Sequence, residues 1–184
     1  EAAKQLEYSI LSELSELLLE NTQFKVIFEP TSYNILGNES VSFYISLNKG
    51  MALAPLSKVA SGGELSRVML GLKVIFSRIQ GISTLIFDEI DAGVSGKVAK
   101  RIGEKMRALS KDAQVISITH LPTVAAFAHH QYLISKEEVH EDTVTSVSLL
   151  NPKAPILNLA LMISGNTDPD TLKAAENLWQ EGQG

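Results

Sequence analysis

Apolar residues recur at three- and four-residue spacing along the start of the chain: Leu6, Ile10, Leu14, Leu17 and Leu18, with Glu7, Glu13 and Glu16 between them. That period predicts an amphipathic helix over residues 1–20, without an N-terminal cap. It spans fewer than three heptads, too little to establish a coiled coil by itself. Asn21-Thr22 ends it. Two strand-like stretches follow, 24–28 and 41–47, separated by the turn-rich segment 30–39. From Ser61 the pattern changes to alternation. Helices are predicted over 64–79, 95–110 and 123–128, interleaved with short apolar strands over 84–87, 114–118 and 131–135. A further strand covers 144–150, and helices cover 156–163 and 169–180. Buried strands alternating with helices indicate an α/β layer with a mostly parallel sheet. In such sheets ligands bind where strands end and loops begin, so the informative residues are the ones at those ends.

Three stretches stand there. Ser61-Gly62-Gly63-Glu64 opens the long helix over 64–79. Two glycines let backbone amides crowd together, and a helix N-terminus adds partial positive charge, which suits a phosphate. Glu64 three residues after Ser61 also fits a capping box, and from these four residues both readings stand. The second stretch, "TLIFDEIDAGVSG", delivers Asp88 and Glu89 to the end of a buried strand, with Asp91 close behind. Three carboxylates within four positions repel one another unless a cation is near. A hard ion such as Mg²⁺ takes carboxylate and phosphate oxygens, and a neighbouring carboxylate can polarise an attacking water. An acidic turn capping the next helix is the plainer alternative. The third, "VISITHLP", ends a strand at Thr119-His120, where a neutral imidazole could contact a phosphate or serve only as a hydrogen-bonded loop residue. His129, His130 and His140 make no metal-ligand spacing.

Composition removes several classes. The chain has 184 residues, 45% apolar and 20% charged, enough for one domain with a real core. It has no cysteine, which excludes disulfides and thiolate metal sites and is compatible with a reducing cytoplasm. No apolar run reaches the ~20 residues of a membrane span. The net charge of −5 hides an uneven distribution: residues 58–111 hold ten basic and five acidic groups. On a helical wheel Lys97, Lys100, Arg101, Lys105, Arg107 and Lys111 share one arc, opposite Val98, Ile102, Met106 and Leu109. Such an arc fits a DNA backbone or a solvated outer face equally. Gly96-Lys97 is the sole Gly-Lys pair and is followed by Val98, so no G-x-x-x-x-G-K-[ST] loop is present. Nor does Gly93-Val94-Ser95-Gly96 have G-x-S-x-G spacing.

In order and spacing, "SGGELSR", "LIFDEIDAG" and "ITHLP" resemble the ABC-type ATPase heads, and glutamate at position 64 resembles their SMC-like, DNA-associated branch. The likeness is dense over 55–136, and its wording is similar to that of SMC-like bacterial DNA-repair proteins. It implies an α/β fold, the C-terminal lobe of an ABC/SMC-type P-loop ATPase head, with residues 1–20 the returning end of a coiled-coil arm and 21–184 the lobe. It implies roles as well. Asp88 would hold Mg²⁺, Glu89 would be the general base, and His120 would approach the γ-phosphate. Ser61, Gly62, Gly63 and Glu64 would form a signature motif that binds ATP held by another subunit. Asp91, Ala92 and Gly93 would run along a dimer interface, and Lys97, Lys100, Arg101 and Lys105 would be available to DNA. The partners implied are an N-terminal half of the same protein carrying the Walker A loop, a second head, and DNA, with no membrane, in a bacterial cytoplasm near the nucleoid. The family places charged residues around the helix ending in Met162-Ile163-Ser164-Gly165, whereas "APILNLALMISG" is apolar apart from Asn158, so no role is carried onto it. Outside the resemblance two other readings stand: a metal-dependent phosphodiesterase using Asp88, Glu89 and Asp91, and a non-catalytic docking domain.

Overall fold

The computed structural model describes all residues except 36, 60–62, 89, 140–141 and 152–153. The expectations for Ser61, Gly62, Glu89 and His140 therefore lie outside the described residues. Six helices and seven strands follow in the order α1 (Ala2–Glu16), β1 (Gln23–Asn34), β2 (Gly37–Ser46), β3 (Ala54–Pro55), α2 (Gly63–Gln80), β4 (Thr84–Asp88), α3 (Gly96–Leu109), β5 (Gln114–Ile118), α4 (Pro122–Ala125), β6 (Tyr132–Val139), β7 (Asp142–Leu149), α5 (Ala154–Ser164) and α6 (Pro169–Gln183).

Helix α2 is the centre of the molecule because its sequence is apolar on two sides. Leu70 and Val74 enter one cluster with Leu85 and Phe87 of β4 and with Ala99, Ile102, Met106 and Leu109 of α3. Val68, Leu72 and Ile75 enter a second with Ile10 and Leu14 of α1, Phe24 of β1 and Ile45 of β2. Gly71 lets α1 come close: a Cβ there would stand 3.2 Å from Leu14 Cδ2. A third, smaller cluster joins α4, α5 and α6 through Ala125, Ala126, Leu159, Ala160 and Ala175. Asp168 caps α6 by accepting from Thr171 N at 2.9 Å, with Pro169 in the first turn, where its missing N–H costs nothing.

The sheet differs from expectation. Among the described residues only β4 and β5 are parallel, Thr84 opposite Gln114 through to Asp88 opposite Ile118. β1-β2-β3 and β6-β7 are separate antiparallel sheets. The mostly parallel sheet is thus reduced to a two-stranded piece, for a local reason. β6 and β7 are too close in sequence for a crossover helix and return as a hairpin. The segment 30–39 is likewise a hairpin end and not a loop: β1 runs on past Pro30 to Asn34, the register shifting between them, and Asn34 pairs with Gly37, whose φ is +124°. The β4/β5 pair is covered on one face only. Leu85 and Phe87 are buried, while Ile86 is 58%, Ile116 44% and Ile118 46% exposed.

Candidate functional site

The carboxyl ends of β4 and β5 gather the candidate residues. Asp88 closes β4, exposed, and its register partner Ile118 closes β5. Thr119 and exposed His120 continue from there, so Asp88 and His120 leave the parallel pair at the same end. Parallel register causes this: strands running the same way discharge their loops on the same side.

Gly63 adds the other motif. It is the first residue of α2, and a Cβ on it would lie 2.9 Å from Val94 Cγ1 and 3.1 Å from Gly93 O. The start of α2 is therefore seated directly on the loop after β4, a contact across thirty residues that only glycine at 63 permits. Gly93 turns with φ +71°, and it and Ala92 are exposed. Glu64, in the first turn of α2, is half-buried.

Asp91, expected with Ala92 and Gly93 along a dimer interface, turns its side chain inward. It is fully buried, and its Oδ2 accepts a short hydrogen bond from Thr119 Oγ1, which in turn accepts from Leu121 N at 3.0 Å. Its Oδ1 has no partner among the described residues. The Asp91 side chain thus binds the loop after β4 to the loop that carries His120, leaving Ala92 and Gly93 as that loop's outer surface. This withdrawal also counts against a shared metal site. Among the described residues no three acidic or histidine side chains come together as a metal site would require. Among the described carboxylates there, Asp88 remains exposed at the strand end, a donor that fits an ion held by carboxylate together with water and substrate phosphates.

The basic arc of α3 divides. Lys97 is exposed, Lys100 pairs with Glu181, and Arg101 with Glu104 at 2.8 Å. Lys105 does not share that outer face. Its Nζ lies 2.6 Å from Glu13 Oε2 and 2.5 Å from Glu16 Oε2, with the lysine side chain 10% exposed. The wheel misplaces it because α1 packs over that edge of α3, and two carboxylates there repay the burial of a cation. Arg107 also turns inward, donating to Phe127 O at 3.0 Å and Gln183 Oε1 at 3.2 Å.

Two residues that brace the site from behind, without being part of it, escaped the sequence reading. Thr119 was signalled only by its place beside His120. Arg67 was signalled only as the last letter of "SGGELSR". Its Nη1 donates to Leu17 O at 2.9 Å and Leu18 O at 3.3 Å, and its Nε to Gly63 O at 3.2 Å. Partial burial pulls its pKa below the usual arginine value, with Glu64 opposing.

No family model matches the chain. DNA repair protein RecN of Halalkalibacterium halodurans is 46% identical over 168 residues, 89% of the chain and 30% of that protein. RecN of Bacillus subtilis is 41% identical over 199 aligned positions, covering 98% and 34%. RecN of Vibrio cholerae is 39% identical over 166 residues, covering 89% and 30%. The chain thus spans about a third of the length of the curated relatives it matches. Among solved structures, an Smc head domain with coiled coil and joint from Pyrococcus yayanosii superposes with a TM-score of 0.65 at 20% identity, over 85% of the chain and 28% of that one. A chain from work on ATP-driven dimerization and DNA stimulated activation of SMC ATPases superposes with 0.61 at 18% identity, over 90% and 96%. At such identities the structures establish the fold, that of an SMC head lobe. By sequence the chain belongs to the RecN family, corresponding to a C-terminal part of its members.

Proposed function

We propose that the chain is the C-terminal part of an SMC-like, ATP-hydrolysing head that acts in repair and recombination of broken DNA. One observation carries this reading: Gly63 is seated on Gly93 in the loop that follows Asp88, and Asp91 of the same loop holds Thr119 beside His120, so contacts link three motifs far apart in sequence. That arrangement lacks a phosphate-cradling loop, which the sequence nowhere contains. It suits a half-site that closes over a nucleotide held elsewhere.

The residues then divide the work. Ser61, Gly62, Gly63 and Glu64 at the start of α2 close on the γ-phosphate of ATP bound by a second head. Asp88 would hold Mg²⁺, which when bound would supply charge neutralisation at the phosphates. Glu89 accepts the proton of the attacking water, and His120 faces the γ-phosphate. The Asp91–Thr119 bond keeps the interface loop and the His120 loop in step. The uncovered face of β4/β5, with Ile86, Ile116 and Ile118, is the seat of the N-terminal half that carries the Walker A loop. Lys97, Lys100 and Arg101 remain on the outer face of α3, available to DNA phosphates. Residues 1–20 are the returning end of the arm and 21–184 the lobe. No helix among the described residues is long and apolar enough to cross a membrane, and the setting proposed is the bacterial cytoplasm at the nucleoid.

ATP turnover tests this reading, measured for the chain alone, then mixed with the preceding part of the protein, with and without DNA. The chain alone should be silent and the mixture active, with stimulation by DNA. In the intact protein Glu89→Gln should retain ATP binding and lower hydrolysis by about a hundredfold or more, accumulating closed dimers. Turnover proportional to the chain's own concentration would refute the half-site. Silence in a folded mixture would leave the docking-domain reading.

A further inference from the structure

In the last turn of α1 the carbonyls of Glu13, Leu14 and Ser15 accept from the amides of Leu17, Leu18 and Leu19, and no basic residue of its own answers the negative end of its dipole. Cations from the next two helices supply that answer. Lys105 of α3 pairs with Glu13 and Glu16, and Arg78 at the end of α2 lies 3.3 Å from Glu13 Oε1. Both hold side chains on the body of α1. Arg67 does something else. Its guanidinium takes the first carbonyls past the helix, Leu17 O and Leu18 O, where Leu18 adopts φ 60° and the chain leaves α1. With its third donor it holds Gly63 O, the first carbonyl of α2. Gly63 in turn is the residue pressed against Gly93. One rigid, planar group therefore touches both the end of α1 and the residue that opens the candidate site.

We propose that Arg67 is a positioning residue that makes the end of α1 and the Gly63 end of α2 a single mechanical unit, so that closure of the site over nucleotide is transmitted to the arm. This rests on the ATPase-head reading above. A simple cap for α1 would require only the bonds to Leu17 and Leu18, and any flexible cation would serve. The bond to Gly63 O adds the second anchor, and the guanidinium's fixed fork spans both, which a single ammonium at 67 does not. Arg67→Lys therefore separates the two roles, preserving a charge at the helix end while breaking the bridge.

The test uses the full-length protein carrying Glu89→Gln, with Arg67 intact or replaced by Lys, and a Gln replacement as the harsher variant. Amide hydrogen exchange of residues 14–20 is compared with and without ATP, alongside nucleotide affinity and dimer formation. With Arg67 intact, ATP should slow exchange in that turn by about tenfold, a common size for coupling between sites. In Arg67→Lys nucleotide affinity and nucleotide-free protection of α1 should stay within about twofold, while the ATP-dependent slowing disappears. An undiminished slowing in Arg67→Lys would overturn the proposal and leave Arg67 a cap. Loss of nucleotide-free protection in Arg67→Lys would do the same. Failure of the Arg67-containing protein to dimerise with ATP would sink the head reading, and the strut with it.

Discussion

Replacing Lys105 by methionine keeps most of the side-chain stem and removes the charge that fastens α1 to α3. The lysine side chain is 10% exposed and that of Glu13 11%, so the pair lies in a low-dielectric setting. Burial pulls the pKa of Lys105 down, but the attraction of Glu13 and Glu16 outweighs it and the net shift is upward, so the ammonium is retained. Without it Glu13 keeps only Arg78, whose side chain is 56% exposed. Breaking a buried ion pair from one side costs about 3–5 kcal/mol, and the surviving contact puts this case near 3 kcal/mol. Glu16, 60% exposed, contributes little. The loss is local to α1, so exchange of its amides should speed up by about a hundredfold, a factor of ten for each ~1.4 kcal/mol. Adding Glu13→Gln to the variant should restore much of the protection, because no unpaired charge then remains buried. Protection of α1 within about threefold of wild type would refute this account of Lys105. The pH dependence has a definite sign. A raised lysine pKa makes the contribution fully present below the ordinary value of ~10.4 and lost as pH climbs through the higher folded value. The difference between wild type and variant should therefore persist through neutral pH and close only in strong alkali.

Two further outcomes follow from contacts on either side of α3. A Cβ on Gly182 would meet Ala126 O at 2.2 Å, a backbone atom that cannot swing away. Gly182→Ala should therefore push α6 outward at a cost of about 1–3 kcal/mol, with the unfolding midpoint read from Trp179, the single tryptophan, which packs against the same cluster. An unchanged midpoint would contradict the close packing. If Lys97 and Arg101 contact DNA phosphates, the Lys97→Ala/Arg101→Ala pair should lower the slope of log affinity against log salt by about two, roughly 0.9 for each contact. Lys105→Met should leave that slope alone, and equal slopes in all three proteins would remove α3 from the DNA surface.

Much of this was legible in the sequence because period and end signals agree within each element. The alternation from Ser61 placed α2, β4, α3 and β5 to within a few residues, and the strand ends located Asp88 and His120. Pairing was harder to read. β6 and β7 were both expected as strands, but their short separation, too small for a crossover helix, was not turned into a hairpin and an antiparallel pairing. Side-chain direction near a helix boundary also escaped. A wheel treats α3 as an isolated cylinder, but Lys105 faces whatever packs beside it, and that neighbour lies 89 residues away at Glu16. The burial of Asp91 was hidden for the same reason. Nothing near it in sequence announces that Thr119, just after β5, will receive its carboxylate.

The two-stranded parallel piece has a consequence for biosynthesis. Among the described residues β4 and β5 pair only with each other, so each keeps an outer edge without a strand partner, near three exposed isoleucines. Such edges template indiscriminate strand addition, and an isolated parallel pair has neither a hairpin turn nor a second covered face to suppress it. A lobe built this way is safest when synthesised last, emerging from the ribosome onto a complementary half already in place. Made first or made alone, the same strands would recruit copies of themselves. If the N-terminal half proposed above covers this face, translating the segment last would deliver these edges to a partner already folded.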